Sequence, residues 1–382
     1  MTAQIIAGVL LAVCTGWTVA ALLAVVRIAR ARPRTKVQSG EAPPVTVLKP
    51  LSGADPGLRQ NLVTFFNQDY PAYELVFGVE DPDDPAILVV ESLQRQFPHV
   101  RTRLVVHSGA DAINPKVRNL LGMLPHASHD LSVISDSNVR APRGYVSELV
   151  ATWLADPRIG LVTNVFTGTG ERNLGAALEA VQLNGFCAAG AALPTALGDS
   201  CVVGKSMLFS RRALERLGGL TRVSHVLAED FVMGKLFQHA GYSVVLARTV
   251  LENHLGVLSL SAFCRRHLRW SMLRWRMRPA AAALEVVTSP LSLLPIAVWG
   301  LGLPGVVWVI ALMLVRDVGG WVCLRGWQRA WLPLLLAPVR ELCMLGVWAA
   351  APFKRHVTWR GNRVRLGAGT LLFRREVYAG RG

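Results

Sequence analysis

The sequence predicts an α/β fold with a mixed, mainly parallel sheet, joined at both ends to apolar segments long enough to cross a membrane. Between 44 and 256, short runs rich in valine, leucine and isoleucine alternate with stretches of helical periodicity. That alternation is typical of a parallel sheet covered by helices. Apolar zones precede and follow this region, and hydrophobic residues make up 52% of the 382 residues. We therefore expect one large α/β domain between membrane-spanning elements.

The first predicted element is an N-terminal membrane anchor over 1–30. The stretch 5–26 has no charged residue and, at roughly 22 residues, is long enough to span a bilayer. No basic residue precedes it, so it lacks the positive region of a secretory signal peptide. Basic residues follow at 27, 30, 32, 34 and 36. Positive charge marks the cytoplasmic side, so we expect an uncleaved anchor, a linker over 31–43 and then a cytoplasmic domain.

The predicted α/β domain occupies 44–256, and its elements follow in order. Strands are predicted at 45–51, 73–79, 103–107, 131–135 and 160–166, with helices at 58–66, 85–97, 116–124 and 145–154. A helix over 172–195, a strand over 201–211 and helices over 212–217 and 229–240 complete the domain. Ligands of such sheets bind beyond the carboxyl ends of the strands. Lys49-Pro50, Glu80-Asp81 and Asp136 stand at such ends, so we expect them at one edge of the sheet.

A second apolar zone follows a basic segment, over 257–284, that we predict to lie at the membrane interface. Transmembrane or re-entrant segments are predicted over 285–353, where several prolines leave the number of spans open. Arg316 and Asp317 are expected to interrupt one apolar run. Basic residues after the last span predict that the tail, 354–382, is also cytoplasmic.

The formal net charge of +16 is typical of proteins that bind nucleic acid or anionic membranes. Here the arginines flank the apolar spans and cluster between 265 and 278, with no nucleic-acid motif beside them. Attraction to anionic lipid, worth about 1 kcal/mol per basic residue, explains them better. We therefore expect a membrane, and no nucleic acid, among the partners. The six cysteines show no paired metal-ligand spacing, and reduced thiols are expected in a chain that faces the cytoplasm.

Asp136-Ser137-Asn138 ends an apolar run and is the first candidate site. A carboxylate beside an amide can bind Mg²⁺ or Mn²⁺, hard ions that prefer oxygen ligands and bridge diphosphates. A turn or a helix cap is an equally supported alternative, since Asp, Ser and Asn favour both. We predict Asp136 as a metal ligand and as a residue that binds the donor.

Glu229-Asp230 opens a predicted helix and is the second candidate site. Two acids at the positive end of a helix dipole are common as a structural feature alone. In the functional interpretation, Asp230 is a general base that takes a proton from an acceptor hydroxyl. Glu229 then orients Asp230, contributes to the donor site, or is structural.

An arginine–tryptophan cluster, Arg266-His-Leu-Arg269-Trp270, precedes the second apolar zone. Such a cluster is also typical of interfacial anchoring. Arginine forks match phosphate oxygens, and tryptophan offers a stacking surface. The cluster could therefore stabilise the charge on a departing nucleoside diphosphate.

Two further places are candidates for contacts with the donor. Lys116 opens a helix near the same edge, although a solvated surface lysine is the alternative. Asp81 and Asp84 belong to an acidic loop in which at least one acid is expected to contact the donor. Gly204-Lys205-Ser206 looks like a fragment of a phosphate loop, but the earlier glycine of that loop is absent, so we discount it.

In order and spacing, these pieces resemble the ceramide glucosyltransferases, relatives of the processive family 2 glycosyltransferases. The resemblance covers 45 to about 279 and the tail at 359–366. The matching stretches are 49–51, 83–86, 113–116, 136–137, 228–230 and Arg266-x-x-Arg269-Trp270. The resemblance implies a GT-A nucleotide-sugar fold in which Asp84 or Asp81 is the first aspartate, Asp136 the metal-associated second and Asp230 the base. Asn138 stands where many related enzymes have a second aspartate.

The resemblance also implies a reaction. A hexose, glucose in ceramide glucosyltransferases, would pass from a UDP-sugar to the primary hydroxyl of a ceramide-like lipid with inversion. Asp136 and a divalent cation (Mg²⁺ or Mn²⁺) would hold the diphosphate, and Arg266 and Arg269 would offset the charge of the leaving UDP. Trp270 would form a wall on the acceptor side. The composition, rich in Arg, Gly and Ala, indicates a protein of the bacterial inner membrane.

Three alternatives stay open. An enzyme that adds N-acetylglucosamine to a hopanoid lipid would share the same residues. A processive polysaccharide synthase would need more spans to form a channel than the apolar segments offer. A catalytically inactive membrane scaffold would have no need of Asp230.

Overall fold

The computed structural model describes residues 1–31, 42–55, 57–199, 201–359 and 362–373, so the predicted linker and the end of the tail lie almost wholly outside the described residues. The strands are β1 (Val45–Pro50), β2 (Tyr73–Val79), β3 (Arg101–Val106), β4 (Leu131–Ser135), β5 (Val139–Arg140), β6 (Ile159–Glu171), β7 (Ser206–Ser210), β8 (Ser243–Gly256), β9 (His356–Trp359), β10 (Asn362–Leu366) and β11 (Leu372–Phe373). The α-helices are α1 (Thr2–Ala29), α2 (Leu58–Phe66), α3 (Ala86–Gln96), α4 (Pro115–Met123), α5 (Tyr145–Trp153), α6 (Leu174–Gln182), α7 (Ala188–Ala196), α8 (Arg211–Arg216), α9 (Glu229–His239), α10 (Leu260–Met277), α11 (Pro279–Thr288), α12 (Leu294–Leu301), α13 (Leu303–Arg325) and α14 (Trp331–Ala350).

The main sheet has the strand order β3-β2-β1-β4-β7-β6-β8-β5. The pairs β1–β2, β1–β4, β2–β3 and β6–β8 are parallel, whereas β7 and β5 run antiparallel to their neighbours. The predicted mixed, mainly parallel sheet is confirmed. Because β1, β2 and β4 are parallel, their carboxyl ends meet at one edge. The start of β7 lies at the same edge, since Ser206 pairs with Ser135.

The elements follow the prediction closely as far as α5 and depart from it further along the chain. β6 continues past the predicted end at 166 to Glu171, because it pairs with β8 along its length. The strand predicted over 201–211 is reduced to β7, since 204–205 form a turn. The helix predicted over 172–195 is divided, because a π-helical segment, Leu183–Cys187, separates α6 from α7.

This π-helical segment joins the sheet to the helices of the second apolar zone. Asn184 is fully buried, and its Oδ1 accepts hydrogen bonds from Thr167 Oγ1 at 2.8 Å and from Gly168 N at 2.7 Å in β6. On its other side, α13 approaches so closely that a Cβ on Gly320 would lie 2.5 Å from the Asn184 carbonyl oxygen. Single π-turns inside helices are frequent at functional sites. Here the π-turn lets one residue bond to the sheet while its backbone contacts a helix of the bundle.

Helices α1 and α11–α14 form an apolar bundle that packs on α6 and α7. By length and composition, four helical segments among the described residues could cross a bilayer: Thr2–Ala29, Leu174–Ala196, Leu303–Arg325 and Trp331–Phe353. A fifth candidate is the pair Pro279–Thr288 and Pro290–Leu301, which is bent by 70° as a broken span or a re-entrant loop would be. Apolar helices at both ends of the chain are thus confirmed, and Leu174–Ala196 is an addition to the prediction.

Two charged pairs lie inside this bundle. Arg316 and Asp317 interrupt the apolar run in the sequence but do not end the helix, because α13 continues through both. Asp317 is fully buried and accepts hydrogen bonds from Arg316 Nε at 2.9 Å and from Arg340 of α14. Glu341 accepts hydrogen bonds from Arg340 Nη1 at 2.6 Å and from Arg316. Two arginines and two carboxylates form a closed, neutral quartet, which is what charges in apolar surroundings require.

The tail after α14 packs back on the α/β domain. Strands β9, β10 and β11 form a small antiparallel sheet, and its apolar residues contact α10 and the loop before α9. Leu227 N donates to the Thr370 carbonyl at 3.0 Å, and Leu372 N donates to the His225 carbonyl at 2.7 Å. The tail therefore fixes the loop that leads into α9, and it lies on the same side of the bundle as the α/β domain.

Candidate functional site

Asp136 lies at the centre of a lysine cluster, just beyond the end of β4. Its Oδ1 pairs with Lys116 Nζ at 2.9 Å, and its Oδ2 pairs with Lys205 Nζ at 3.3 Å. Lys205 also donates a hydrogen bond to Asn138 Oδ1 at 2.7 Å. Burial alone would raise the pKa of Asp136, but the two lysines outweigh this effect and hold the pKa well below its usual range. Asp136 is therefore a carboxylate held between two cations.

Lys116 is oriented by the first turn of α4 and connects Asp136 to Glu229. Asn114 caps this helix, its Oδ1 accepting from Lys116 N at 2.9 Å while its Nδ2 donates to Glu229 Oε2 at 3.2 Å. The Lys116 ammonium pairs with Glu229 Oε1 at 3.2 Å and donates to the Gly204 carbonyl at 2.9 Å. Burial lowers the pKa of Lys116, but the carboxylates of Asp136 and Glu229 outweigh it and raise the pKa above its usual value. The ammonium is therefore firmly charged.

Asp230 begins α9 with its carboxylate against two backbone amides. Its Oδ2 accepts from Gly204 N at 2.7 Å, and its Oδ1 accepts from Phe231 N at 2.8 Å. A Cβ on Gly204 would lie 2.8 Å from Asp230 Oδ2 and 3.0 Å from Lys116 Nζ, so a side chain has no room there. Burial raises the pKa of both Glu229 and Asp230, and the charge of Lys116 offsets this only in part. Glu229 is buried and Asp230 is partly exposed, so Asp230 is the acid that another molecule can reach.

Lys49, a residue of β1, binds the backbone of the cluster at Asp136. It is fully buried, its Nζ donates to the Asp136 carbonyl at 2.6 Å, and the same atom lies 3.6 Å from the centroid of the Phe65 ring. Burial lowers the pKa of Lys49 well below its usual value. That Lys49 and Pro50 contact the donor stays a prediction, and the structure shows a different role for Lys49. Both are buried residues of β1, and Lys49 fixes the backbone that carries Asp136.

The acidic loop after β2 lies at the same edge, and most of its oxygens serve local structure. Asp84 is almost buried, its Oδ2 accepting from Gly53 N and its Oδ1 from Ala86 N, each at 2.8 Å. Asp84 thus ties the loop after β1 to the start of α3. Asp81 is exposed and accepts a hydrogen bond from Asp83 N at 2.9 Å. Of the two predicted donor contacts, Asp81 is the more accessible, and both stay predictions.

The arginine–tryptophan cluster lies on α10, where a buried glutamate of α6 orients it. Glu179 is fully buried, its Oε1 accepting from Arg266 Nη1 at 2.9 Å and its Oε2 pairing with His267 Nε2 at 2.8 Å. The His267 ring contacts Trp270 edge-to-face with centroids 5.1 Å apart, and Trp270 packs against the main core of the α/β domain. Arg269 is partly buried on the same helix.

Lys205 links this cluster to the acidic residues. Burial lowers the pKa of Lys205, the carboxylate of Asp136 opposes this, and the positive charge of Arg266 adds to the lowering. Arg266 is therefore close enough to act on the lysine cluster electrostatically. The structure thus gathers Asp136, Lys116, Glu229 and Asp230 at one edge of the sheet, although they are distant in sequence, and the charge of Arg266 acts on Lys205 there.

The side chains around Asp136 do not fit a divalent cation. Among the described residues, no three His, Cys, Asp or Glu side chains are grouped as metal ligands would be. Asn138, a neutral amide, stands two residues beyond Asp136 and binds Lys205. Both oxygens of Asp136 already pair with ammonium groups, and these two like charges would repel a cation at the same carboxylate. This donor set does not support the Mg²⁺ or Mn²⁺ predicted at Asp136.

Gly204 and Lys205, which are discounted on sequence grounds, and Glu179, which is not a candidate there, all belong to the site. The fragment Gly204-Lys205 lacks the spacing of a phosphate loop, and only the pairing of β7 with β4 brings it beside Asp136. Glu179 is the single charged residue between 173 and 198. A lone acid in an apolar helix is seldom buried unless it is paired. The position of Glu179 in the sequence is therefore a signal of a buried acid with a partner elsewhere in the fold.

The comparisons with known proteins agree on the class of this chain. The model of glycosyl transferase family 21 matches residues 6–372. Ceramide glucosyltransferase 1 of Caenorhabditis elegans is 26% identical over 338 residues, which are 86% of this chain and 72% of that protein. Ceramide glucosyltransferase 3 of the same organism is 28% identical over 258 residues, 65% of this chain, and the match spans about half, 54%, of that relative's length.

Among solved structures, the mannosyltransferase PcManGT from Pyrobaculum calidifontis, in complex with GDP-Man and Mn²⁺, has a similar fold. The two chains superpose with a TM-score of 0.52 and 19% identity, over 92% of this chain and 98% of that one. The identity is low, so this likeness concerns the fold alone, which is that of the GT-A glycosyltransferases. Because the family model covers nearly the whole chain, the protein belongs to glycosyl transferase family 21.

Proposed function

We propose that the protein transfers a hexose, glucose by its likeness to ceramide glucosyltransferases, from a UDP-sugar to the primary hydroxyl of a ceramide-like lipid. The observation that carries this proposal is that an accessible acid, Asp230, lies beside a cluster of lysines at the edge of the sheet. The domain that holds them packs against apolar helices long enough to cross a membrane. The sugar C1 would be attacked in a single displacement, which inverts its configuration.

The donor's diphosphate would lie at the lysine cluster. Lys116 and Lys205 flank Asp136 at 2.9 and 3.3 Å, and the charge of Arg266 reaches Lys205. Cations aimed at a developing negative charge stabilise the transition state more than the ground state. The Mn²⁺ in the complex of PcManGT suggests that a divalent cation can serve this fold. In this chain the lysines and arginines of the site would themselves offset the charge of the leaving group.

Asp230 would act as the general base. Its raised pKa makes it a better proton acceptor than a solvated carboxylate, and Glu229, locked by Lys116 and Asn114, keeps a second acid beside it. The backbone amides of Gly204 and Phe231 hold the Asp230 carboxylate in one orientation. A hydroxyl bound at its exposed side would lose its proton as its oxygen attacks the sugar.

The acceptor would reach the site from the bilayer. Helix α10 carries Arg266 and Trp270 at the site and contacts α11 and α14 of the bundle further along. A lipid with its tails beside these helices would place its polar head near Trp270. The catalytic domain and the tail would then face the cytoplasm, as the basic residues after α1 predict.

The test is to identify the product. Protein purified in nanodiscs is expected to convert ceramide and UDP-glucose into a lipid with a single β-linked glucose, measured by mass spectrometry and by the anomeric coupling constant in NMR. Transfer of N-acetylglucosamine to a hopanoid, with none to ceramide, would contradict the acceptor and the sugar. Products with many sugars would favour a polysaccharide synthase, and no transfer with any pair would favour the scaffold.

A pH dependence follows from the acidic pair. The base form of a carboxylate is lost as the pH falls through its pKa, and burial raises the pKa of Asp230. We therefore expect kcat to fall on the acid side at a higher pH than about 4, the value for a solvated aspartate. Lys116→Met removes a charge that lowers the pKa, so the acid limb should move to still higher pH. Lys354→Met, at an exposed lysine, is the control; an acid limb that stays in place in Lys116→Met would contradict this assignment.

A further inference from the structure

Lys205 contacts a single carboxylate among the described residues, that of Asp136, and shares it with Lys116. Its Nζ pairs with Asp136 Oδ2 at 3.3 Å and donates to Asn138 Oδ1 at 2.7 Å. Asp136 is shared with Lys116, whose ammonium contacts the other oxygen at 2.9 Å. Lys116 has a second carboxylate, Glu229, at 3.2 Å, whereas the other partner of Lys205 in the part of the chain that the structure describes is the neutral amide of Asn138. The charge of Lys205 is therefore less fully offset than that of Lys116, and an anionic ligand can balance it.

The side chain of Lys205 is nevertheless held firmly in place. It is 15% exposed, so it is neither a free surface lysine nor sealed in the core. The turn at 204–205 is fixed by Asp230, which accepts from Gly204 N, and by Lys116, which donates to the Gly204 carbonyl. The turn at 204–205 therefore binds the proposed base, Asp230, through its backbone and contacts Asp136 through the side chain of Lys205.

Asn138 favours a lysine over a divalent cation as the partner of Asp136. A second carboxylate at this position would give Asp136 a partner for a divalent ion, since such ions prefer two or more anionic oxygens. The amide oxygen of Asn138 instead accepts one hydrogen bond from Lys205 and brings no negative charge to the site. The amide of Asn138 and the ammonium of Lys205 therefore both favour a lysine, and not a metal ion, beside Asp136.

We propose that Lys205, together with Lys116, binds the diphosphate of the donor where a divalent cation would otherwise stand, so that this chain binds a nucleoside diphosphate without a metal. This inference rests on the proposed function for the identity of the ligand. An ammonium group is a compact charge with three donors, so two of them can contact both phosphates.

The chemistry balances without a metal. The acceptor oxygen forms a bond to the sugar C1 while the bond from C1 to the diphosphate oxygen breaks, and that oxygen keeps the electron pair. The proton of the acceptor hydroxyl passes to Asp230. The new negative charge on the diphosphate is met by the Lys205 and Lys116 ammonium groups, and neither needs to lose a proton.

The test measures binding of UDP by calorimetry to the full-length protein in nanodiscs. Wild-type protein, shown to be metal-free by mass spectrometry of the elements, is expected to bind UDP equally well, within about 3-fold, in EDTA and in MnCl₂. Lys205→Met should weaken binding in EDTA by about 10-fold or more, the loss expected for a charge-assisted contact. Lys354→Met, a change of the same kind at an exposed residue, should bind as wild type does.

A double variant is designed to convert the metal-free site into one that depends on a metal. Asn138→Asp combined with Lys205→Ser gives Asp136 a second carboxylate and removes the competing ammonium, so UDP binding should become at least about 10-fold stronger with Mn²⁺ than in EDTA. Thermal unfolding of each variant separates lost binding from lost folding.

The outcomes separate this proposal from the proposed function. Wild-type protein that binds UDP only with Mn²⁺ or Mg²⁺, or a Lys205→Met variant that binds normally in EDTA, would overturn the metal-free site while leaving the transferase proposal intact. Failure to bind UDP under any condition, with no transfer of sugar, would overturn the proposed function itself.

Discussion

Asp230→Asn is expected to reduce sugar transfer by about 10²- to 10⁴-fold, the usual contribution of a general base, while UDP binding stays within a few-fold of wild type. Asparagine keeps the size of the side chain but cannot accept a proton from the acceptor. Its Nδ2 would also face one of the two backbone amides, of Gly204 or Phe231, that now donate to the carboxylate. The measurement is the rate of glycolipid formation at saturating donor, together with calorimetry of UDP.

The control for this prediction is the same chemical change at an acid outside the site. Asp156 pairs with Arg158 at 2.7 Å in the loop before β6, and Asp156→Asn is expected to leave transfer unchanged. Thermal unfolding shows whether the lost backbone hydrogen bond in Asp230→Asn affects stability, at a cost of about 1–3 kcal/mol. A variant that retains near-normal turnover would show that another group accepts the proton.

Asp317→Asn should lower the free energy of unfolding by about 3–5 kcal/mol, because it leaves two arginines facing a single carboxylate, that of Glu341, inside the apolar bundle. Asp317 is fully buried and binds Arg316 at 2.9 Å as well as Arg340, so neither arginine can turn to solvent for a substitute. The measurement is thermal or denaturant unfolding of protein in detergent micelles, where the transition is expected to shift to a lower midpoint.

Restoring neutrality is the control for this effect. Arg340→Gln combined with Asp317→Asn removes one charge of each sign, and part of the lost stability is expected to return. The double variant should therefore be more stable than the sum of the two single changes predicts. Asp317→Asn with the stability of Asp156→Asn, or strictly additive effects in the double variant, would show that the quartet contributes little.

The sequence predicted the features that depend on local pattern. Alternating apolar runs and helical periodicity located β1, β2 and β4 to within a residue or two, since side chains of strands and helices repeat with different periods. Parallel strands end at one edge, so the sequence alone places Glu80-Asp81 and Asp136 together. The apolar segment at the N-terminus was equally clear from its length.

Predictions were weaker where a residue's environment depends on a distant partner. Lys49, at the end of β1, was expected to contact a ligand, yet it is fully buried and binds the backbone of Asp136. Arg316 and Asp317 interrupt an apolar run in the sequence, but their partners on α14 let the helix continue. In both cases the sequence shows a charged residue, and only its partner decides whether the charge faces solvent, ligand or core.

The sequence by itself determined the α/β sheet, the apolar segments, the likeness to ceramide glucosyltransferases and the acids at the edge of the sheet, because these follow from periodicity, length and motif order. The tertiary structure alone decided that Lys205 stands at the second oxygen of Asp136, that Glu179 orients Arg266, and that Asp230 rather than Glu229 is accessible. The physical reason is that ion pairs and pKa values depend on burial and on charges brought together across the fold, and neither is encoded in the neighbours of a residue along the chain.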